Sequence, residues 1–166
     1  VQKNKDITDS ISYARKIQHA ILPAESLIKT HIPNLFTLYL TKDIVSGDFY
    51  WATQKGDNFF LAVCDSTGHG VPGAFMSLLN ISFLNEAIGE KQITSPNSIL
   101  NYVRLKLIEN LSTEGAQDGM DGTLLCYNQT KREFTYASAH NRPILIRNGK
   151  LEELPADKMP IGKGER

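Results

Sequence analysis

The chain has 166 residues, enough for one domain with its own core, and its 41% hydrophobic and 22% charged content is ordinary for a globular protein. Eighteen basic residues balance eighteen acidic ones, so no net field advertises a nucleic-acid or membrane-surface partner, and nucleic acid is not expected as a ligand. No run reads as a membrane span or a signal peptide, and the two cysteines, Cys64 and Cys126, sit in apolar runs that suit reduced core thiols. A cytoplasmic setting is expected, compatible with a membrane-tethered parent. The chain opens on Val1 and reads as a piece of a longer protein.

In chain order, residues 6–22 predict a helix. Ile7, Ile11, Ala14, Gln18 and Ile21 recur in steps of four and three, a narrow seam that Ile17 and Leu22 thicken before Pro23 stops the run. Such a seam suits a coiled-coil contact or packing on the helix's own domain. Strands are predicted at 36–40, 49–53 and 59–64, the last two joined as a hairpin through the polar loop at 54–58. A helix follows over 71–88, and Ser95-Pro96 opens another whose apolar positions are Ile99, Leu100, Val103, Leu107, Ile108 and Leu111. Residues 112–118 read as an exposed loop. Short strands are expected at 124–127, 134–137 and 144–146, and Asn148-Gly149 turns the chain into a return strand at 151–154. Strands, two consecutive helices and more strands indicate an α+β layered fold.

The chemistry concentrates in two stretches. Asp65-Ser66-Thr67-Gly68-His69-Gly70 follows an apolar strand, and Ser46-Gly47-Asp48 opens another. A strand fixes each carboxylate, and the small residues let backbone carbonyls and a hydrated ion approach. If the two strands are neighbours, Asp48 and Asp65 converge, with the Ser66 carbonyl as a third oxygen. Hard divalent ions take few protein ligands when a phosphate supplies the rest. The competing reading of Asp65 is a turn aspartate capping the next helix. Asp118 and Asp121 add two carboxylates before a strand; either could reach a metal, but glycine-flanked aspartates are common in plain turns, and a catalytic role for them is the weaker reading. His69 and His140 fit hydrogen bonds to turn and loop backbone better than ligation, and Arg142 fits a solvated surface charge. Ser138 and His140 lack the nucleophile-elbow pattern, no Cys/His spacing suits zinc, and the glycines at 68–73 form neither a Walker loop nor a dinucleotide fingerprint.

Taken in order, Ser46-Gly47-Asp48-Phe49-Tyr50, Asp65 through Ala74, Met120 to Leu124, Ala139-His140-Asn141-Arg142-Pro143 and Pro160-Ile161-Gly162 resemble the metal-dependent serine/threonine phosphatases of the type 2C superfamily. The closer likeness is to the bacterial branch named after the stage II sporulation phosphatase E, over roughly residues 33–166. The resemblance implies a layered αββα sandwich, C-terminally incomplete here, with a linker helix at 1–25 and the phosphatase domain at 26–166. It implies two Mn²⁺ or Mg²⁺ ions and hydrolysis of phosphoserine or phosphothreonine on a protein by metal-activated water. The family's Gly-Asp metal aspartate falls on Asp48, its metal-bridging aspartate on Asp65 and its carbonyl ligand on Ser66. Two further metal aspartates of the family, in Thr/Ser-Asp-Gly and Asp-Asp/Asn-x-Thr motifs, have no counterpart before Arg166. Asp118 and Asp121 correspond to an earlier strand and do not replace them, so the 166 residues alone are expected to be metal-poor or inactive.

The implied partners are a phosphorylated protein, an anti-sigma-factor antagonist among the candidates, an upstream sensor domain, and a second copy of the chain through the N-terminal helix. A non-catalytic module that keeps the fold and binds a partner is the alternative reading. Hydrolysis of a small phosphoester is a third.

Overall fold

A computed structural model describes residues 2–111 and 118–164. Helix α1 (Gln2–Ile21) and a short α2 (Glu25–His31) precede a hairpin of β1 (Asp48–Lys55) and β2 (Asn58–Ser66). Then come α3 (Gly70–Asn85), a π-helical turn (Glu86–Glu90) and α4 (Pro96–Leu111). Strands β3 (Gly119–Asn128), β4 (Glu133–Ala139), β5 (Ile144–Arg147), β6 (Lys150–Glu153) and β7 (Ile161–Gly162) complete the order. The main sheet is antiparallel with the order β1-β2-β3-β4, and β7 continues past the end of β4 by pairing with Gly119 and Met120. A separate two-stranded ribbon holds β5 and β6.

Alternation along the strands fixes the layers. Phe49, Trp51, Phe60, Ala62, Cys64, Leu124 and Cys126 point one way and are buried under Ile81, Leu84, Ile99, Val103 and Leu107 of α3 and α4. Each large apolar side chain buried in this layer contributes about 1.5–3 kcal/mol. The stretch Gly70–Glu90 is long and apolar enough to cross a membrane by length and composition, which the reading that no run approaches a span overlooked. Half of it is buried inside the fold, as a core helix is. On the opposite sheet face α2 covers only the hairpin end, where Ile28 packs on Ala52 and Phe59 and His31 stacks on Phe59 at 4.3 Å. Among the described residues no helix covers the other end of that face.

Several expected elements are longer or different. The strand expected at 124–127 begins at Gly119, so Asp121 lies inside it rather than in a turn. Residues 36–40 form no strand: Phe36, Leu38 and Leu40 are exposed, and the segment is tied to the sheet through Tyr39 Oη, which donates to Asp48 O at 2.9 Å. The β-branched and aromatic pattern was present, but among the described residues no strand edge is paired with it. The seven-residue α2 lacked a long enough period to be read from sequence. The loop expected at 112–118 lies outside the described residues except for Asp118. Asn148 and Gly149 both take positive φ (51° and 72°), the paired left-handed turn that Asn-Gly favours.

Helix α1 meets the domain near its C-terminal end. Gln18, only 3% exposed, donates Nε2 to Ser46 O (2.6 Å) and to Ser77 Oγ (2.8 Å), while Ser46 N donates to Gln18 Oε1 (3.0 Å). The polar residue in the seam is thus a docking point on the domain, and Ile7, Tyr13, Ile17 and Ile21 remain exposed.

Candidate metal centre

The open end of the sheet face carries a row of carboxylates. Asp48 on β1 is the direct cross-strand partner of Asp65 on β2, and Asp65 is the direct partner of Asp121 on β3. Their neighbours Phe49, Cys64 and Met120 turn to the helix side, so alternation sends all three aspartates to the other face. Directly opposed residues hold their Cβ atoms about 4.5–5.5 Å apart, and like charges so placed repel. Asp48 registers this: partial loss of hydration and then the shared hydrogen bond and charge of Asp65 hold its carboxyl above the usual carboxylate range.

Asp48 is held by its backbone. Its N–H donates to Ser46 Oγ (3.0 Å), and the Tyr39 hydroxyl, its pKa raised mainly by burial, donates to its carbonyl. The turn after Asp65 is equally constrained. Buried Ser66 donates its N–H to Gly47 O (3.3 Å), and its hydroxyl accepts from Asn80 Nδ2 (3.0 Å). Thr67 N donates to Gly119 O (2.9 Å), and Gly119 N donates back to Thr67 Oγ1 (3.1 Å). Gly68 sits at φ +92°, a conformation suited to glycine. Position 47 also requires glycine, because a Cβ there would meet Gly68 O at 2.6 Å and Ser66 O at 2.9 Å. The Gly68 and Ser66 carbonyls thus pack against Gly47, the residue before Asp48.

This donor set is all oxygen: two opposed carboxylates and the carbonyl side of a tight turn. It fits a hard divalent cation, which would offset the mutual repulsion of the opposed carboxylates. Among the described residues no group of three or more His, Cys, Asp or Glu side chains forms a ready-made cage. Two spaces flank the row. One is a cleft of about 350 Å³ bordered by Asp65, Ser66, His69, Asp121 and Pro160, and the other an apolar groove of about 390 Å³ between residues 35–40 and Tyr50, Leu61 and Val63, with Asp48 and Asp65 at its end.

The other singled-out residues divide. Asp65 does not cap α3, whose N-cap is His69 without a side-chain cap bond. Exposed His69 Nδ1 meets Asp43 Oδ2 at 3.1 Å, tying the loop before β1 to the turn after β2. His140 places Nε2 on Lys158 O (2.6 Å), the expected backbone contact, but its Nδ1 meets Asp121 Oδ1 at 2.9 Å. Arg142 pairs with Glu153 at an exposed site (3.4 Å). Ser138 bonds Thr123 Oγ1 and backbone oxygens rather than His140. Cys64 and Cys126 are free and buried. The sequence reading gave Asp121 the weaker claim on a metal and set it in a turn before the strand, whereas it lies in β3 opposite Asp65. The alternation Met120, Gly122, Leu124, Cys126 carried the signal, since it forces Asp121 onto the face of Asp65.

Residues 55–166 match the family described as stage II sporulation protein E. The chain is 24% identical over 146 residues to the phosphoserine phosphatase RsbU of Bacillus subtilis (strain 168), covering 84% of this chain and 40% of RsbU. The SiaA-PP2C domain of Pseudomonas aeruginosa superimposes with a TM-score of 0.86 at 30% identity, over 98% of this chain and 65% of that one. The RsbU and RsbW domains of Rv1364c from Mycobacterium tuberculosis share the fold, with a TM-score of 0.57 at 24% identity over 75% of this chain and 34% of theirs. The chain thus spans two fifths of the curated relative's length and under two thirds of the SiaA domain's.

Proposed function

Because the chain belongs to the stage II sporulation protein E family of type 2C phosphatases, we propose that its carboxylate row is the centre of a metal-dependent phosphatase acting on phosphoserine or phosphothreonine in proteins. The observation that carries this reading is the direct pairing of Asp48 with Asp65 at the open end of the sheet. Asp48, Asp65 and the Ser66 carbonyl would hold Mn²⁺ or Mg²⁺, two ions in a complete domain. When bound, such ions acidify coordinated water and offset the charge of a phosphoryl group.

The chain's own residues do the positioning. The Ser46 hydroxyl and Tyr39 fix the Asp48 backbone, Gly47 lets the turn carbonyls approach, and the Thr67–Gly119 bonds hold the turn against β3. The apolar groove ending at Asp48 and Asp65 supplies a surface on which a polypeptide substrate, rather than a small phosphoester, gains contact area. The likeness to RsbU, a phosphoserine phosphatase, favours a phosphoserine substrate, and a phosphorylated protein of the anti-sigma-factor-antagonist kind is the candidate we propose. Residues 1–25 act as a linker to an upstream sensor and 26–166 as the phosphatase domain, on the cytoplasmic side of the cell. The exposed Ile7, Tyr13, Ile17 and Ile21 suit pairing of α1 with a second copy. Sedimentation with and without residues 1–22 tests that pairing, and a monomer in both cases refutes it.

The catalytic reading is tested by phosphate release from a phosphoserine peptide by the protein expressed at full length. Release that requires Mn²⁺ or Mg²⁺, stops with chelator and exceeds that from an aryl phosphate is expected. Absence of release, with retained binding of the phosphopeptide, would favour the non-catalytic module instead.

A further inference from the structure

The cation reading, on which this inference rests, leaves one carboxylate of the row without a role. Asp121 lies one strand beyond Asp65 and borders the cleft that Asp65, Ser66 and His69 share. Its Oδ1 is engaged by His140, whose other ring nitrogen faces the Lys158 carbonyl. A carbonyl only accepts, so Nε2 carries a proton. A neutral ring would then turn a lone pair at Nδ1 toward the carboxylate, whereas the imidazolium donates to both. His140 is itself fixed: its N–H donates to Asp157 O (2.8 Å), and its backbone sits at φ +58°. The histidine comes from the loop after β4 and its anchors from the segment leading to β7, so two separate elements are spent on orienting one aspartate.

We propose that Asp121, oriented by His140, is a positioning carboxylate of the centre that accepts hydrogen bonds from the water shell of a cation held at Asp65, without ligating the cation itself. Placement supports the outer-sphere role: Asp121 stands across Asp65 from Asp48, the other carboxylate assigned to the cation. One Asp121 oxygen is committed to His140, and the other is left for such a water. The raised pKa of His140, due first to the Lys158 carbonyl and then to Asp121, agrees with the charged ring. Outer-sphere partners of this kind fix the orientation of the groups they hold.

The test is Mn²⁺ titration of the full-length protein followed by the EPR signal of free Mn²⁺, which reads affinity without turnover. Unmutated protein, Asp65→Asn, Asp121→Asn, His140→Asn and the Asp121→Asn/His140→Asn double variant are compared. Asp121→Asn is expected to weaken Mn²⁺ binding about 10–100-fold. His140→Asn, whose short side chain tolerates the left-handed backbone but cannot reach Asp121, is expected to weaken it less, and the double variant no more than Asp121→Asn alone. Unchanged affinity in Asp121→Asn, a loss as complete as that of Asp65→Asn, or additive losses in the double variant would overturn the inference. Equal binding by the unmutated protein and Asp65→Asn would instead overturn the metal reading beneath it. Should Asp121→Asn fail to fold, His140→Asn carries the test, and unchanged affinity there refutes the coupling.

Discussion

Replacing Gln18 by alanine should both loosen the N-terminal helix and disturb the segment that carries Asp48. Gln18 is almost fully buried and uses both ends of its amide, giving hydrogen bonds to Ser46 O and Ser77 Oγ and receiving one from Ser46 N. Ser77 keeps its own bond to Ala74 O at 2.8 Å, so its hydroxyl suffers little. Ser46 is the residue exposed to loss: it is buried, and both of its backbone groups lose their partner. Each unpaired buried group costs about 1–3 kcal/mol, and water entering the vacated space recovers part of it, so the net loss is about 2–4 kcal/mol. For a domain of this size that lowers the melting temperature by about 5–15 °C. Because Ser46 Oγ holds the Asp48 N–H, the same change should weaken Mn²⁺ binding. Urea unfolding and calorimetry of the variant, beside a truncation lacking residues 1–22, measure both effects. The truncation removes the same bonds and should lose at least as much. A change below about 0.5 kcal/mol in both proteins would refute the account of Gln18 as the docking point.

Gly47→Ala drives a methyl into two backbone oxygens that cannot rotate away, so it should cost upwards of about 2 kcal/mol and impair metal binding, read by thermal melts and Mn²⁺ titration. Wild-type-like stability there would show that the turn relaxes freely. His140 has a raised pKa in the folded protein, so its ion pair stabilises fully below the unfolded value of about 6.5 and is lost as pH rises through the higher folded value. The melting-temperature gap between unmutated protein and His140→Asn should therefore narrow as pH climbs from about 6 toward 8.5, and a constant or widening gap contradicts the pairing. Burial pushes the Cys64 thiol up to about 12 and raises that of Cys126, so neither should react with a thiol reagent at pH 8 until the protein unfolds. Rapid labelling of the native protein would contradict the buried placement.

Much of the fold could be read from local pattern. The hairpin at 54–58, the two helices after the Asp65 turn and the Asn148-Gly149 turn follow from alternation, helical spacing and turn chemistry that act over a few residues. Residues 36–40 misled because β-prone composition does not supply a neighbouring strand, and pairing is a tertiary property. Gln18 misled in the other direction: its spacing placed it in an apolar seam, but its burial depends on Ser46 and Ser77, far away in sequence. At the candidate site, the convergence of Asp48 and Asp65 was legible because each stands at the end of an apolar strand, Asp48 next to Gly47 and Asp65 at the start of a glycine-containing turn. Asp121 was ranked below them, because glycine neighbours suggest a turn. Only the register of β2 against β3 places it beside Asp65.

The most direct test of the central claim is Mn²⁺-dependent dephosphorylation of a phosphoserine protein by the full-length protein and its Asp65→Ala variant, with circular dichroism confirming that the variant is folded. The account predicts that turnover and its metal dependence are abolished together in Asp65→Ala. Near-normal metal-dependent turnover in the folded variant would contradict the assignment of Asp65 to the metal centre.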